Sequence, residues 1–127
     1  MMRLILGLCA IVLLGGPALA ETYPARPIRL VVGYSPGGGN DLIARIVAAK
    51  LQEKLGQPVS VDNRPGAQSI VAAEAVAKAP SDGYTLLVAP SGPMTINPAV
   101  YAKLSYSPER DFAPLWPRPA VFPLPDP

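Results

Sequence analysis

Between Ile28 and Tyr34 the chain reads IRLVVGY, and Ser35-Pro36-Gly37-Gly38-Gly39-Asn40-Asp41 follows directly. A β-branched apolar run of this kind suits a strand buried on both faces, which implies a parallel sheet covered by helices. Past Asp41 the spacing turns helical. Leu42, Ile43, Ile46, Val47, Leu51 and Leu55 recur at three and four residues and are expected to form the packing face, with Arg45, Gln52 and Glu53 pointing away. Asn40 is the expected N-cap, Asp41 suits the positive end of the helix, and Gly56 is the expected terminator.

The unit then repeats. Val59 to Val61 is a short strand, Asn63-Arg64-Pro65-Gly66 a turn, and Ile70 to Ala79 an alanine-rich helix stopped by Pro80. Ser81-Asp82-Gly83 turns the chain into a third strand, Tyr84 to Ala89, and Pro90-Ser91-Gly92-Pro93 loops out of it. A short helix is expected from Ile96 to Tyr101, and Tyr106 to Phe112 reads as irregular. Strands alternating with helices make this an α/β chain with a parallel sheet and right-handed crossovers.

The two ends obey other rules. Arg3, the apolar run Leu4 to Leu14, the break Gly15-Gly16-Pro17 and the small-residue site Ala18-Leu19-Ala20 form an export signal, residues 1–20, cleaved after Ala20. A membrane-spanning helix is disfavoured by the shortness of the uncharged stretch and by Pro17 within it, so no membrane insertion is expected after cleavage. Cys9 has Leu8 before it and lacks a lipoprotein context, so the exported part carries no thiol. Residues 116–127 are a proline-rich tail that is expected to be disordered. Six prolines fall between Pro114 and Pro127, a density that forbids helix and central strand. A shifted reading frame is the expected origin of that tail.

With 127 residues the chain supplies one small domain or part of a larger one. It has no histidine, so histidine-based catalysis, Cys/His zinc sites and haem ligation lack their residues; no metal or other cofactor is expected. Eleven Lys and Arg against nine Asp and Glu, scattered along the chain, give no footprint for nucleic acid. The mean hydropathy of +0.27 is raised by the leader.

In an open parallel sheet ligands sit outside the carboxyl ends of the strands. Ser35, Pro36, Gly37, Gly38, Gly39, Asn40 and Asp41 make such a loop, where glycines let backbone N–H groups approach an anion at a positive helix end. Ser91 and Gly92, after the third strand, are expected alongside. Glycines after a strand also serve plain turn geometry, and the stretch matches neither G-x-G-x-x-G nor the lysine-bearing phosphate loop. Asp41 either orients a ligand's ammonium or hydroxyl or serves the helix dipole. Arg64 either approaches the cleft or pairs with Asp62.

The blocks VVGYSPGGGND, LGQPVSVDNRPGA, AEAVAKAPSDGYTLL and INPAVYAKLSYSPERDFAPL, with Tyr23-Pro24 and Arg26-Pro27-Ile28 ahead of them, closely resemble the Bug family. These are periplasmic solute receptors of tripartite tricarboxylate transporters, and the resemblance spans residues 21–115. It implies a periplasmic-binding-protein-like (type II) lobe, part of a two-lobed fold that closes on a small di- or tricarboxylate. It also implies carboxylate capture by backbone amides and ordered water of the glycine loop, the transporter's membrane components as partners, a periplasmic location and no catalysis. Where the family has a second glycine-rich stretch after Arg64-Pro65-Gly66-Ala67, this chain has Gln68-Ser69-Ile70, leaving the Ser69 hydroxyl as the candidate contact. The resemblance stops at Leu115-Trp116, so residues 21–115 are expected to be the first part of one lobe, with the second lobe missing. A site walled on one side is expected to bind weaker than roughly 1 mM, with an exposed lobe interface that costs solubility. Two other readings compete. One is a secreted nucleotide- or phosphate-binding enzyme domain using the Gly37-Gly38-Gly39 loop; the other is an interaction module acting through the proline tail.

Overall fold

The computed structural model describes residues 22–115; the expected leader, the expected cleavage after Ala20 and the proline-rich segment from Trp116 lie outside the described residues. Strand β1 is Ile28–Val32, helix α1 Gly39–Leu55, strand β2 Val59–Asn63, helix α2 Ile70–Ala77 and strand β3 Thr85–Val88. A 3-10 turn, Ala67–Ser69, leads into α2, and a π-helical turn, Gly92–Ile96, runs straight into α3, Asn97–Val100. One more turn of helix, α4, covers Pro108–Asp111 in the segment expected to be irregular.

The sheet is parallel throughout, in the order β2-β1-β3. Ile28 stands opposite Val59 and Val32 opposite Asn63 on one side, while Arg29 faces Thr85 and Val32 faces Val88 on the other. β1 lies between two partners, which explains why its sequence is almost continuously apolar and why Leu30, Val31 and Val32 are all buried. Ile28 and Leu30 pack with Val59 and Ala48, and Leu51, Leu55, Val61, Tyr84, Leu86 and Val88 close around them. Each such aliphatic side chain withdrawn from water contributes about 1.5–3 kcal/mol.

Three further expectations need correction. β1 ends at Val32, because Gly33 and Tyr34 bend away into the loop. The N-cap of α1 is Gly38 rather than Asn40, and no side chain caps it; Asn40 is already helical, and the polar work is done by Asp41 one residue on. Third, Leu51 and Leu55 pack against the core as expected, but in the first three turns of α1 the packing face is not made by the large side chains. Asp41, Ala44 and Ala48 are the buried residues of this helix, whereas Leu42 is 61% exposed, and Ile43, Ile46 and Val47 are exposed as well. Alanines let the helix axis approach the sheet closely, and the true face (41, 44, 48, with Leu51 and Leu55 half-buried) is rotated from the stripe of bulky residues. Gly56 does end the helix, at φ 69° with its N–H on the Gln52 carbonyl.

The first described residues are fastened to the start of β3. Tyr23 donates its hydroxyl to the Gly83 carbonyl (2.7 Å), and its ring lies 5.0 Å from that of Tyr84. Arg26 reaches the Asp82 carboxylate at 2.6 Å with its guanidinium over the Tyr84 ring.

Candidate functional site

β1 and β2 run parallel as neighbours, so their carboxyl ends deliver two loops to the same edge of the sheet. Between these loops is an open cavity of about 220 Å³, lined by Gly33, Tyr34 and Ser35 from the first and by Pro65, Gly66, Ala67, Gln68 and Ser69 from the second. The loops are joined at their base. The Arg64 N–H donates to the Val32 carbonyl at 2.7 Å, and the Asn63 side-chain amide donates to the Tyr34 carbonyl at 3.1 Å.

Asp41 is the hub of this arrangement. Its carboxylate is 3% exposed and accepts from the Arg45 Nε (2.9 Å), the Gly37 N–H (2.9 Å) and the Asn63 Nδ2 (3.0 Å). The Arg45 hydrogen bond, then the Gly37 amide and Asn63, hold its pKa down at about 2 against the opposing effect of burial. The charge is therefore engaged inside the chain, where it folds the glycine loop back and ties α1 to β2. Arg64 pairs with Asp62 at 2.9 Å, the second of the two readings open for it, and among the described residues no lysine or arginine lines the cavity.

The second loop is conformationally costly. Ala67, Gln68 and Ser69 all have positive φ (45°, 55° and 70°), where a non-glycine residue costs roughly 1–2 kcal/mol. Ser69 is 1% exposed, and its Oγ has no hydrogen-bond partner within the described residues. It lies flat against Gly33: a Cβ built on that glycine would come within 1.6 Å of the Ser69 Oγ. An unpartnered buried hydroxyl costs about 1–3 kcal/mol in desolvation.

Of the residues singled out from the sequence, Ser35 and Ser69 meet in the cavity lining, while Pro36, Gly37, Gly38, Gly39, Asn40 and Asp41 stand outside it. Gly37 needs its glycine for φ 84°, but a Cβ on Gly39 would meet nothing within 4 Å, so internal packing does not require that glycine. Ser91 is exposed, and Gly92 abuts the Tyr34 hydroxyl rather than the cavity. Gly33, Tyr34 and the run from Pro65 to Gln68 escaped the sequence reading as site residues. The signal available for them was Arg64-Pro65-Gly66 directly after a strand adjacent to β1. Among the described residues no group of three or more His, Cys, Asp or Glu is placed to hold a metal ion. No helix among them is long and apolar enough to cross a membrane.

Residues 43–120 match the family described as "Tripartite tricarboxylate transporter family receptor". The chain belongs to this family. It is 42% identical to BugT of Bordetella pertussis over 103 residues, which is 80% of this chain and 32% of that protein. The solved structure of MatC from Rhodopseudomonas palustris with bound malate is 39% identical, superposes with a TM-score of 0.69, and is matched over 72% of this chain and 31% of its own. R. palustris Rpa4515 with adipate gives 42% identity and a TM-score of 0.65, over 68% of this chain and 29% of its own. The chain thus spans about a third of the relatives it matches. Its fold is periplasmic-binding-protein-like, and its family is one of receptors rather than enzymes. The competing phosphate-enzyme reading finds no support.

Proposed function

We propose that this chain is part of an exported receptor that captures a small di- or tricarboxylate in the periplasm and delivers it to the membrane components of a tripartite transporter. The observation that carries the reading is the Ser69 hydroxyl, buried and, among the described residues, unpartnered at a cavity they line with no cation. Hydroxyls and backbone dipoles suit a carboxylate that must be released again, because they bind an anion without a fixed countercharge. The malate and adipate of the two solved relatives support the ligand class. Ser35 lies across the cavity from the second loop, and Gly37 to Asn40, with Ser91 and Gly92, belong to the surrounding rim in this reading.

Titration of the chain with malate, adipate and inorganic phosphate tests it. Saturable heat with a dicarboxylate, weakened by Ser69→Ala, is the expected result. Phosphate binding in preference to either dicarboxylate, or no saturation up to about 10 mM, a free energy near −3 kcal/mol, counts against the reading.

A further inference from the structure

The left-handed run Ala67–Ser69 has a tether that comes from far along the chain. Asn97, the first residue of α3, is 2% exposed and donates its side-chain Nδ2 to the Gln68 carbonyl at 2.9 Å. Asn97 is itself set in place from behind. The buried Tyr106 hydroxyl donates to the Pro93 carbonyl at 2.7 Å, fixing the π-helical turn that runs into α3, and the Tyr106 ring meets Phe112 edge-on at 5.9 Å. Within the second loop, the Ser69 N–H returns to the Gly66 carbonyl at 2.9 Å. Gln68, at φ 55°, is the middle of three residues that relax toward negative φ when released, and the plane of the Gln68-Ser69 peptide decides where the Ser69 hydroxyl points.

The geometry points to Asn97 as a positioning residue: by holding the Gln68 carbonyl it keeps Ala67–Ser69 left-handed and the Ser69 side chain seated against Gly33 at the cavity lining. It touches no ligand itself. An amide suits the task, since its NH₂ donates to the carbonyl at full burial without introducing a charge. The inference rests on the carboxylate reading of the cavity for its ligand, but not for its geometry.

Glycine supplies the test, because it adopts positive φ without being held there. In Asn97→Ala, NMR couplings across the backbone of residues 67–69 should lose their left-handed values, and binding of malate and adipate should weaken roughly tenfold, the size of one lost hydrogen bond. Adding Gln68→Gly should restore both, which no repair of general stability would do. Unchanged couplings in Asn97→Ala, or a glycine that restores neither property, overturns the inference. If Asn97→Ala alone does not fold, Asn97→Ala with Gln68→Gly is compared with Gln68→Gly alone: similar couplings support the tether, and an unfolded double variant overturns it. If the unsubstituted chain binds neither dicarboxylate, the carboxylate reading fails by itself, and the couplings still decide the role of Asn97.

Discussion

Asp41 shows how one carboxylate organises a loop that sequence alone would assign to glycine. Its pKa is lowered in the folded chain, from 3.8 to about 2. The stabilisation from its ionised form is therefore complete above about pH 4 and is lost as the pH falls toward 2. Asp41→Asn, which cannot accept from all three donors, should flatten the acid limb of stability; urea midpoints measured from pH 5 to pH 2 check this. Gly33 makes the opposite point. A methyl there would meet the Ser69 Oγ and come within 2.9 Å of the Ser69 Cα, so Gly33→Ala should destabilise by about 2–3 kcal/mol, partly relieved by Ser69→Gly. Gly39→Ala meets nothing and should stabilise α1 by up to about 1 kcal/mol, while weakening malate binding if a ligand's oxygen approaches that backbone. Thermal melts and calorimetry on the same samples separate the two effects. Ser69 was a candidate through the family resemblance, since the family has a glycine-rich stretch after Arg64-Pro65-Gly66-Ala67. Its left-handed backbone was not, because the residues that hold it, Gly33 and Asn97, are distant in sequence.

At the scale of elements, β1, α1, β2, α2 and β3 were readable from period and punctuation, since each is bounded by proline or glycine and the strands are β-branched. The facing of α1 was not. Hydrophobic spacing reports where bulky side chains recur, but the helix lies close to the sheet because Ala44 and Ala48 are small, and bulky neighbours are left outside. Ala44→Leu or Ala48→Leu should thus destabilise by about 1–3 kcal/mol through overpacking. Ile43→Lys with Ile46→Lys should stay within about 0.5 kcal/mol per substitution and reduce self-association, because an exposed apolar patch drives contacts between molecules. Denaturant midpoints and sedimentation at rising concentration check the pair. Asn40 failed as a cap for a related reason: the preference for Asn is local, whereas Asp41 gains Asn63 from a strand 22 residues away.

For the whole molecule, the apolar run after Arg3 and the Ala18-Leu19-Ala20 site predict that the exported species begins at Glu21, and intact-mass measurement of periplasmic material checks it. Retention of the full 127-residue mass in the membrane fraction would count against export. The sheet order gives that route a physical companion. β1 is the first of the described strands and central in their sheet, with Ile28 opposite Val59 and Arg29 opposite Thr85. The aromatic and charged clasp of Tyr23 and Arg26 likewise finds its partners only at Asp82 to Tyr84. A polypeptide emerging amino end first therefore holds an apolar segment with nothing to pair with until Asn63 has appeared, and with one open edge until Val88 has. Closure of such distant pairings is slow, and here it is also deferred by the order of arrival, which keeps the strand threadable through a narrow pore for as long as its partners remain behind it.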